Sequence, residues 1–300
     1  MIAVTSGRIE APGVGPARSR HARQVSALGY RTCVILSTYN QPYHLERTLW
    51  GYARQSWQDF QLVVADDGSG PETRELLDRW RREAGLDLKH VWQEDRGFRK
   101  NEILNRAILA TDADYLIFSD GDCVPRDDFV GVHVRHAAPG RFLSGGALWL
   151  SQQLTDQIRV DDVRSGRAME PSWLLERGWR PRHRRLRLIR AARLATALDC
   201  LTPTAATWNG HNASTWRQHL IDVNGYDMDL GYGNEDRALG TRLQNSGLRG
   251  KSVRYRAPLL HLAHERPYRD RSVIDRNRRV REQLARSGAV RARVGISELR

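Results

Sequence analysis

From residue 32 to residue 120 the chain alternates short apolar runs with segments whose apolar positions recur at helical spacing. "TCVILSTYN" is β-branched and unbroken, which predicts a buried strand, and "FQLVVADDGSG", "LKHVWQ" and "DYLIFSD" repeat the type. Between them, Pro42 suits a first helical turn, and Leu45, Leu49 and Tyr52 share one face. "PETRELLDRWRREAG" places Leu76, Leu77 and Trp80 inward, with Gly85 as its stop, and "RKNEILNRAILA" does the same with Ile103, Leu104, Ala107 and Ile108. Strand–helix alternation of this kind predicts βαβ units: an α/β fold with a mostly parallel, Rossmann-like central sheet flanked by helices.

Beyond Pro125 the periodicity weakens. "RFLSGGALWLS" reads as one further strand, whose glycine pair admits a close approach to the backbone. Residues 152–205 are helical, rich in arginine and poorly periodic, as in an insertion. "WNGHNAST" is a loop, and "GYDMDLGYGNEDRALGTRLQNSG" is a loop feeding a helix from about Glu235 to a stop at Gly247. "SVRYRAPLLHLAHERP" supplies a strand and two histidines, and a basic, helical C-terminal extension follows over 269–300. Residues 1–29 carry Gly, Pro, Ser and Arg without periodicity and read as a flexible lead-in.

In such sheets ligands sit at the carboxyl ends of the strands. Three of those ends carry polar clusters: Ser37 to Asn40, Asp66 to Ser69, and Asp120-Gly121-Asp122. An Asp-Gly pair is also an ordinary turn, but two carboxylates at the end of a buried strand repel unless a cation sits between them. Oxygen ligands suit Mg²⁺ or Mn²⁺, with Asp122 the direct ligand and Asp120 facing either the metal or a sugar. Of Asp66 and Asp67, one can cap the next helix while the other accepts hydrogen bonds from a base or ribose. Tyr39 can cover a nucleobase or fill the core. Arg99 and Lys100 open a helix, where an anion would offset their charge, although a solvated basic face explains them equally. Glu235 and Asp236 also open a helix; they are placed either to complement its dipole or to supply a general base. His261 or His264 can complete a two-aspartate metal site.

Charge sharpens the picture. The 300 residues carry a net charge of +13, which suits a phosphate-rich partner. Acids gathered at strand ends would repel a nucleic-acid backbone unless a metal intervened, so a basic RNA-binding protein fits poorly. A nucleotidyltransferase would show a Gly-rich, basic phosphate loop where this chain has "STYNQP". Eight arginines and no acid lie between Arg177 and Leu198. With Leu188, Ile189, Ala192 and Ala195 roughly on one side, that stretch can lie on an anionic membrane, or it can be a solvated basic face interrupted by Arg184 and Arg185. The three cysteines are odd in number and widely spaced, which fits a reducing, cytoplasmic compartment. The N-terminal stretch lacks the apolar core of a secretory signal, and no run approaches a membrane span.

Taken in order, "ILSTYN", "VVADDGS", "DRGFRKNEILNRAI", "SDGD" and "WNGHNASTWRQHLIDVNGYDMDLGYGNEDRAL" resemble the motifs of family 2 glycosyltransferases of GT-A fold. The last of these is similar to the acceptor segment of galactosyltransferase-like and chondroitin-polymerase-like enzymes. The resemblance spans about residues 31–268 and implies a domain over 30–268, with a nucleotide-binding half (30–125) and an acceptor-binding half (126–268). It implies an inverting transferase that uses Mn²⁺ or Mg²⁺ to move a sugar from a UDP-sugar to a glycan or glycolipid, as in cell-surface polysaccharide synthesis. Asp67 would contact uracil beside Ser37 and Tyr39, and Arg99 would approach the diphosphate. Asp120 and Asp122 would bind ribose and metal, with His261 completing the coordination. Asp236 would be the base, and Glu235, Asn212 and Tyr232 would hold the acceptor. A lipid-linked acceptor would place the enzyme at the inner face of the cell membrane.

Overall fold

The computed structural model describes residues 29–83, 86–180 and 182–300. The lead-in, apart from Gly29, and the helix stop at Gly85 lie outside them. The first half forms as the pattern predicts: β1 (Thr32–Thr38), α1 (Pro42–Ala53), β2 (Gln61–Asp66), α2 (Pro71–Glu83), β3 (Leu88–Trp92), α3 (Lys100–Ala110) and β4 (Tyr115–Asp120). The four strands are parallel in the order β3-β2-β1-β4. All of β1 is buried because helices cover both faces of the sheet. Alternate residues divide between two apolar layers. Val34, Leu36, Leu62 and Val64 meet Leu45, Leu49 and Leu77, while Cys33, Ile35, Val63 and Ala65 meet Ile103, Leu104 and Ile108.

The second half departs from the single-strand reading of "RFLSGGALWLS". After β5 (Cys123–Pro125) and α4 (Phe129–His136), this stretch forms two strands, β6 (Arg141–Ser144) and β7 (Gly146–Trp149), which enter different sheets. The break falls at Gly145, where a Cβ would overlap the side-chain amide of Asn212. The backbone approach that the glycine pair predicted is therefore made by this protein's own asparagine. Short helices follow: α5 (Gln152–Gln157), α6 (Val160–Ser165), α7 (Pro171–Glu176), a 3-10 turn at Arg182–Leu188, and α8 (Ala192–Leu201). Their Leu154, Ile158, Trp173, Leu174 and Leu188 pack on Val124, Leu148, Leu260 and Leu262.

The remaining elements are β8 (Ala213–Trp216), α9 (Arg217–Asp222), α10 (Glu235–Asn245), β9 (Arg249–Ser252), β10 (Pro258–His261) and α11 (Arg271–Ser287). β8 runs antiparallel between β4 and β6, and β9 closes the edge, completing a seven-stranded sheet. β5, β10 and β7 form a separate three-stranded sheet. α11 lies along α10, and Ile296 beyond it joins the core with Ile103 and Leu243.

Candidate active site

Parallel register brings the polar strand ends together. Ser37 stands beside both Ala65 of β2 and Asp120 of β4, and Ser37 Oγ donates to Asp120 Oδ1 at 2.6 Å. These ends floor a cleft of about 710 Å³, which also takes in the start of α3, the loop around Asn209, the start of α10 and the segment after β10.

Asp120, Asp122, Cys123 and His261 offer ligand atoms that all lie within 4.8 Å of one another. Burial drives the Cys123 thiol well above its ordinary pKa, helped by the two neighbouring carboxylates, so it stays protonated and donates to Asp122 Oδ1 at 3.3 Å. Two carboxylates and an imidazole remain, a donor set that fits Mn²⁺ or Mg²⁺. The two histidines differ in state. Each has Nδ1 against a backbone carbonyl, His261 on Leu262 at 2.9 Å and His264 on Glu265 at 2.7 Å, and a carbonyl can only accept. Burial lowers the pKa of His261, so its proton sits on Nδ1 and Nε2 keeps a lone pair, 3.7 Å from Asp122 Oδ1. His264 Nε2 lies 2.9 Å from Asp122 Oδ2 and 3.4 Å from Arg266 Nε. Its pKa is raised, burial being outweighed by the Asp122 hydrogen bond and charge. His261 therefore joins the Asp120–Asp122 cluster with Nε2 turned toward it, while His264 hydrogen-bonds Asp122 from the other side.

Burial would raise the pKa of Asp120, but the Lys100 ammonium at 2.7 Å, its hydrogen bond and that of Ser37 hold the carboxyl below its usual range. Lys100, not Arg99, is therefore the α3 cation in the cleft. Arg99 sits one position before the helix. Its Nε turns to Glu102 Oε2 at 3.1 Å; its backbone N–H donates to Asp67 Oδ2 at 2.9 Å and its charge helps hold the Asp67 pKa down. Asp67 also accepts from Gln93 Nε2 at 2.6 Å, and burial lifts its pKa to about 6. Asp66 is the structural member of the pair, accepting from the Ser69 amide at 2.8 Å and lying 2.9 Å from His90 Nε2. Tyr39 lines the cleft 41% exposed, outside the core, and its hydroxyl donates to Asp95 at 2.8 Å.

Across the cleft, Glu235 and Asp236 occupy the first turn of α10. Burial raises both pKa values, and the Asp236 charge helps push Glu235 up to about 8; Lys100 pulls each back in part. Asp236 Oδ1 is buried without a hydrogen-bond partner among the described residues, while the Gly210 backbone beside the carboxyl lowers its pKa in part. Gly210 allows this position, because a Cβ there would overlap the Asp236 carboxylate. Tyr232 forms an aromatic rim with Phe98 and Tyr268, at ring distances of 5.8 and 4.9 Å. Asn212 does not face this space. It is fully buried, its Nδ2 donates to Gly146 O at 3.1 Å and Ala257 O at 2.8 Å, and its Oδ1 lies 3.1 Å from His133. Its amide is consumed in joining the two sheets, and the loop instead presents Asn209 and His211.

Sequence reasoning paired Lys100 with Arg99 at the helix start but carried only Arg99 forward as a site residue, and it missed His211, Trp149 and Arg266 as cleft residues. These three depend on the second sheet and the loop after β10, which no local pattern announces.

A profile described as "Glycosyl transferase family 2" matches residues 33–192. Validoxylamine A glucosyltransferase of Streptomyces hygroscopicus subsp. jinggangensis (strain 5008) is 37% identical over 109 residues, 35% of this chain and 25% of that protein. The chain thus spans about a quarter of that relative's length. The mannosyltransferase PcManGT from Pyrobaculum calidifontis, solved with GDP-Man and Mn²⁺, superposes with a TM-score of 0.54 at 20% identity, covering 80% of this chain and 59% of that one. S. aureus TarS 1–349 with UDP-GlcNAc gives 0.56 at 14% identity, covering 89% and 69%. Neither identity reaches beyond the fold. The profile match, extending over more than half of the chain, and the shared architecture make this protein a member of glycosyl transferase family 2 with the GT-A fold.

Proposed function

We propose that the protein transfers a sugar from a nucleotide-sugar donor, a UDP-sugar, to a hydroxyl of a glycan or glycolipid, with inversion and with a divalent cation. The observation carrying this reading is that one cleft combines a buried Asp236 oxygen, without a partner among the described residues, with the Asp120–Asp122–His261 cluster and Asp67. Asp67 would accept the imide N–H of the base, and the exposed ring of Tyr39 would cover it. Asp122 and His261, with Asp120, would hold Mn²⁺ or Mg²⁺, which when bound supplies Lewis-acid charge beside the departing diphosphate. Lys100 fixes Asp120 and keeps a positive charge on the donor side. Asp236 would take the proton of the acceptor hydroxyl as that oxygen attacks the anomeric carbon from the face opposite the diphosphate. Glu235, protonated at neutral pH, would donate a hydrogen bond to the acceptor, and the rim of Tyr232 and Tyr268 offers flat apolar surface for a sugar ring. Hydroxyl-rich acceptors of this kind fit cell-surface polysaccharide assembly. Asp236→Asn keeps shape and removes basicity. It should lower transfer at least about a thousandfold, within the range for loss of general-base catalysis, with UDP affinity changed less than about twofold. EDTA should stop the wild type. Normal turnover by the variant, or full activity in EDTA, would refute the respective role.

A further inference from the structure

The arginine-rich stretch does not form one amphipathic helix with Leu188 and Ala195 facing outward. Those two residues are buried, and the stretch divides into the 3-10 turn and α8. α8 turns Ala195 and Asp199 toward the protein. Asp199 accepts from Ser252 Oγ at 3.1 Å, Tyr255 N at 3.0 Å and Arg256 Nε at 2.7 Å, which pins the helix beside edge strand β9. The opposite side is apolar: Leu194 and Leu201 are 49% and 78% exposed, and Leu186 of the turn is 38% exposed. A surface helix of a globular protein ordinarily does the reverse.

The charge around this stripe is mainly positive: Asp199 is turned inward onto Arg256, and Asp127 pairs with Arg190 at 3.0 Å. Arg185 and Arg193 are exposed next to Leu186 and Leu194, and the chain from Arg177 to Leu198 contains no acid. β9 extends the positive field, with Arg249 in register opposite Arg141 and Lys251 on the same strand. Leucines projecting from a cationic surface are complementary to an anionic bilayer, where phosphates attract the guanidinium groups and the acyl boundary accepts the leucines. We propose that α8 and the preceding turn seat the protein on an anionic membrane surface. The chain leaving α8 continues through residues 202–207 to Trp208 and Asn209 of the cleft wall. The inference stands apart from the transfer reaction, and its test reads binding alone.

The test is cosedimentation of the full chain with vesicles of phosphatidylcholine, alone or with about one third phosphatidylglycerol. Binding should occur to the anionic vesicles and not to the neutral ones. Arg185→Glu with Arg193→Glu should weaken it at least about tenfold. Leu194→Ser with Leu201→Ser should do the same, with only a small fall in melting temperature, because about half of Leu194 and most of Leu201 already lie in solvent. Absence of binding to anionic vesicles, or binding that survives either double variant, would overturn the proposal. So would a dimer in solution that the leucine variant dissolves, since a second copy would then be the occupant.

Discussion

Asp236 owes its place to a residue with no side chain. The carboxylate fills the volume that a Cβ on Gly210 would occupy, and among the described residues its Oδ1 has no partner. Gly210→Ala would therefore push the proposed base off its position. A displacement of about 1 Å at a reacting group can reduce rate about a hundredfold. Transfer by Gly210→Ala should fall by about that factor while nucleotide affinity, which the proposal assigns to the β1–β4 side, is retained. Steady-state kinetics paired with UDP titration separates the two, and an unchanged kcat would show that the carboxylate tolerates the shift. The exchange of Arg99 for Lys100 has an equally local cause. Successive helical residues differ by about 100° in direction, and a helix start read from sequence is uncertain by a residue or two, so neighbouring cations cannot be assigned to faces beforehand.

At the scale of elements, the first half was legible because each strand and helix carries its own periodicity and each buried face is complete in the sequence. Leu45, Leu49, Leu77, Ile103 and Ile108 are all inward as read. In the second half the helix from Glu235, the strand ending at His261 and the C-terminal helix were legible. The division of strands between two sheets was not, because those strands are three or four residues long and are specified by tertiary partners. Asn212 separates β6 from β7 and spans both sheets, a role invisible without the fold. α11 is a further case. It reads as a basic surface helix, yet its buried position, Asn277, donates at 2.8 Å to the carbonyls of both Gly231 and Gly233, directly before Glu235. Asn277→Asp keeps the size but replaces the donor with an acceptor. Loss of two buried hydrogen bonds should cost about 1–3 kcal/mol and lower the melting temperature. It should also raise the acceptor KM more than the donor KM, because the loosened loop carries Tyr232 and Glu235. Equal changes in both KM values would reduce Asn277 to a general structural role.

For the whole molecule, the cleft has a cost in stability that varies with pH. Glu235 ionises near its ordinary value of 4.5 in the unfolded chain but is raised to about 8 by burial and by Asp236 in the folded protein. Between those values the folded state holds a proton that the unfolded state has released. Stability therefore falls as pH rises through that window and levels off above the folded pKa. Asp236 and His264 also titrate at raised values, in the same direction, so the slope of the wild type alone does not isolate Glu235. The difference from Glu235→Gln does, since the amide keeps the shape and never ionises. Denaturant melts at pH 6 and pH 9 should show the variant gaining on the wild type, on the order of 2 kcal/mol, as pH rises. The gain should appear without any substrate, because it belongs to the folded cleft itself. A difference that stays constant from pH 6 to pH 9 would mean that Glu235 ionises normally, and the protonated-donor role proposed for it toward the acceptor would fall with it.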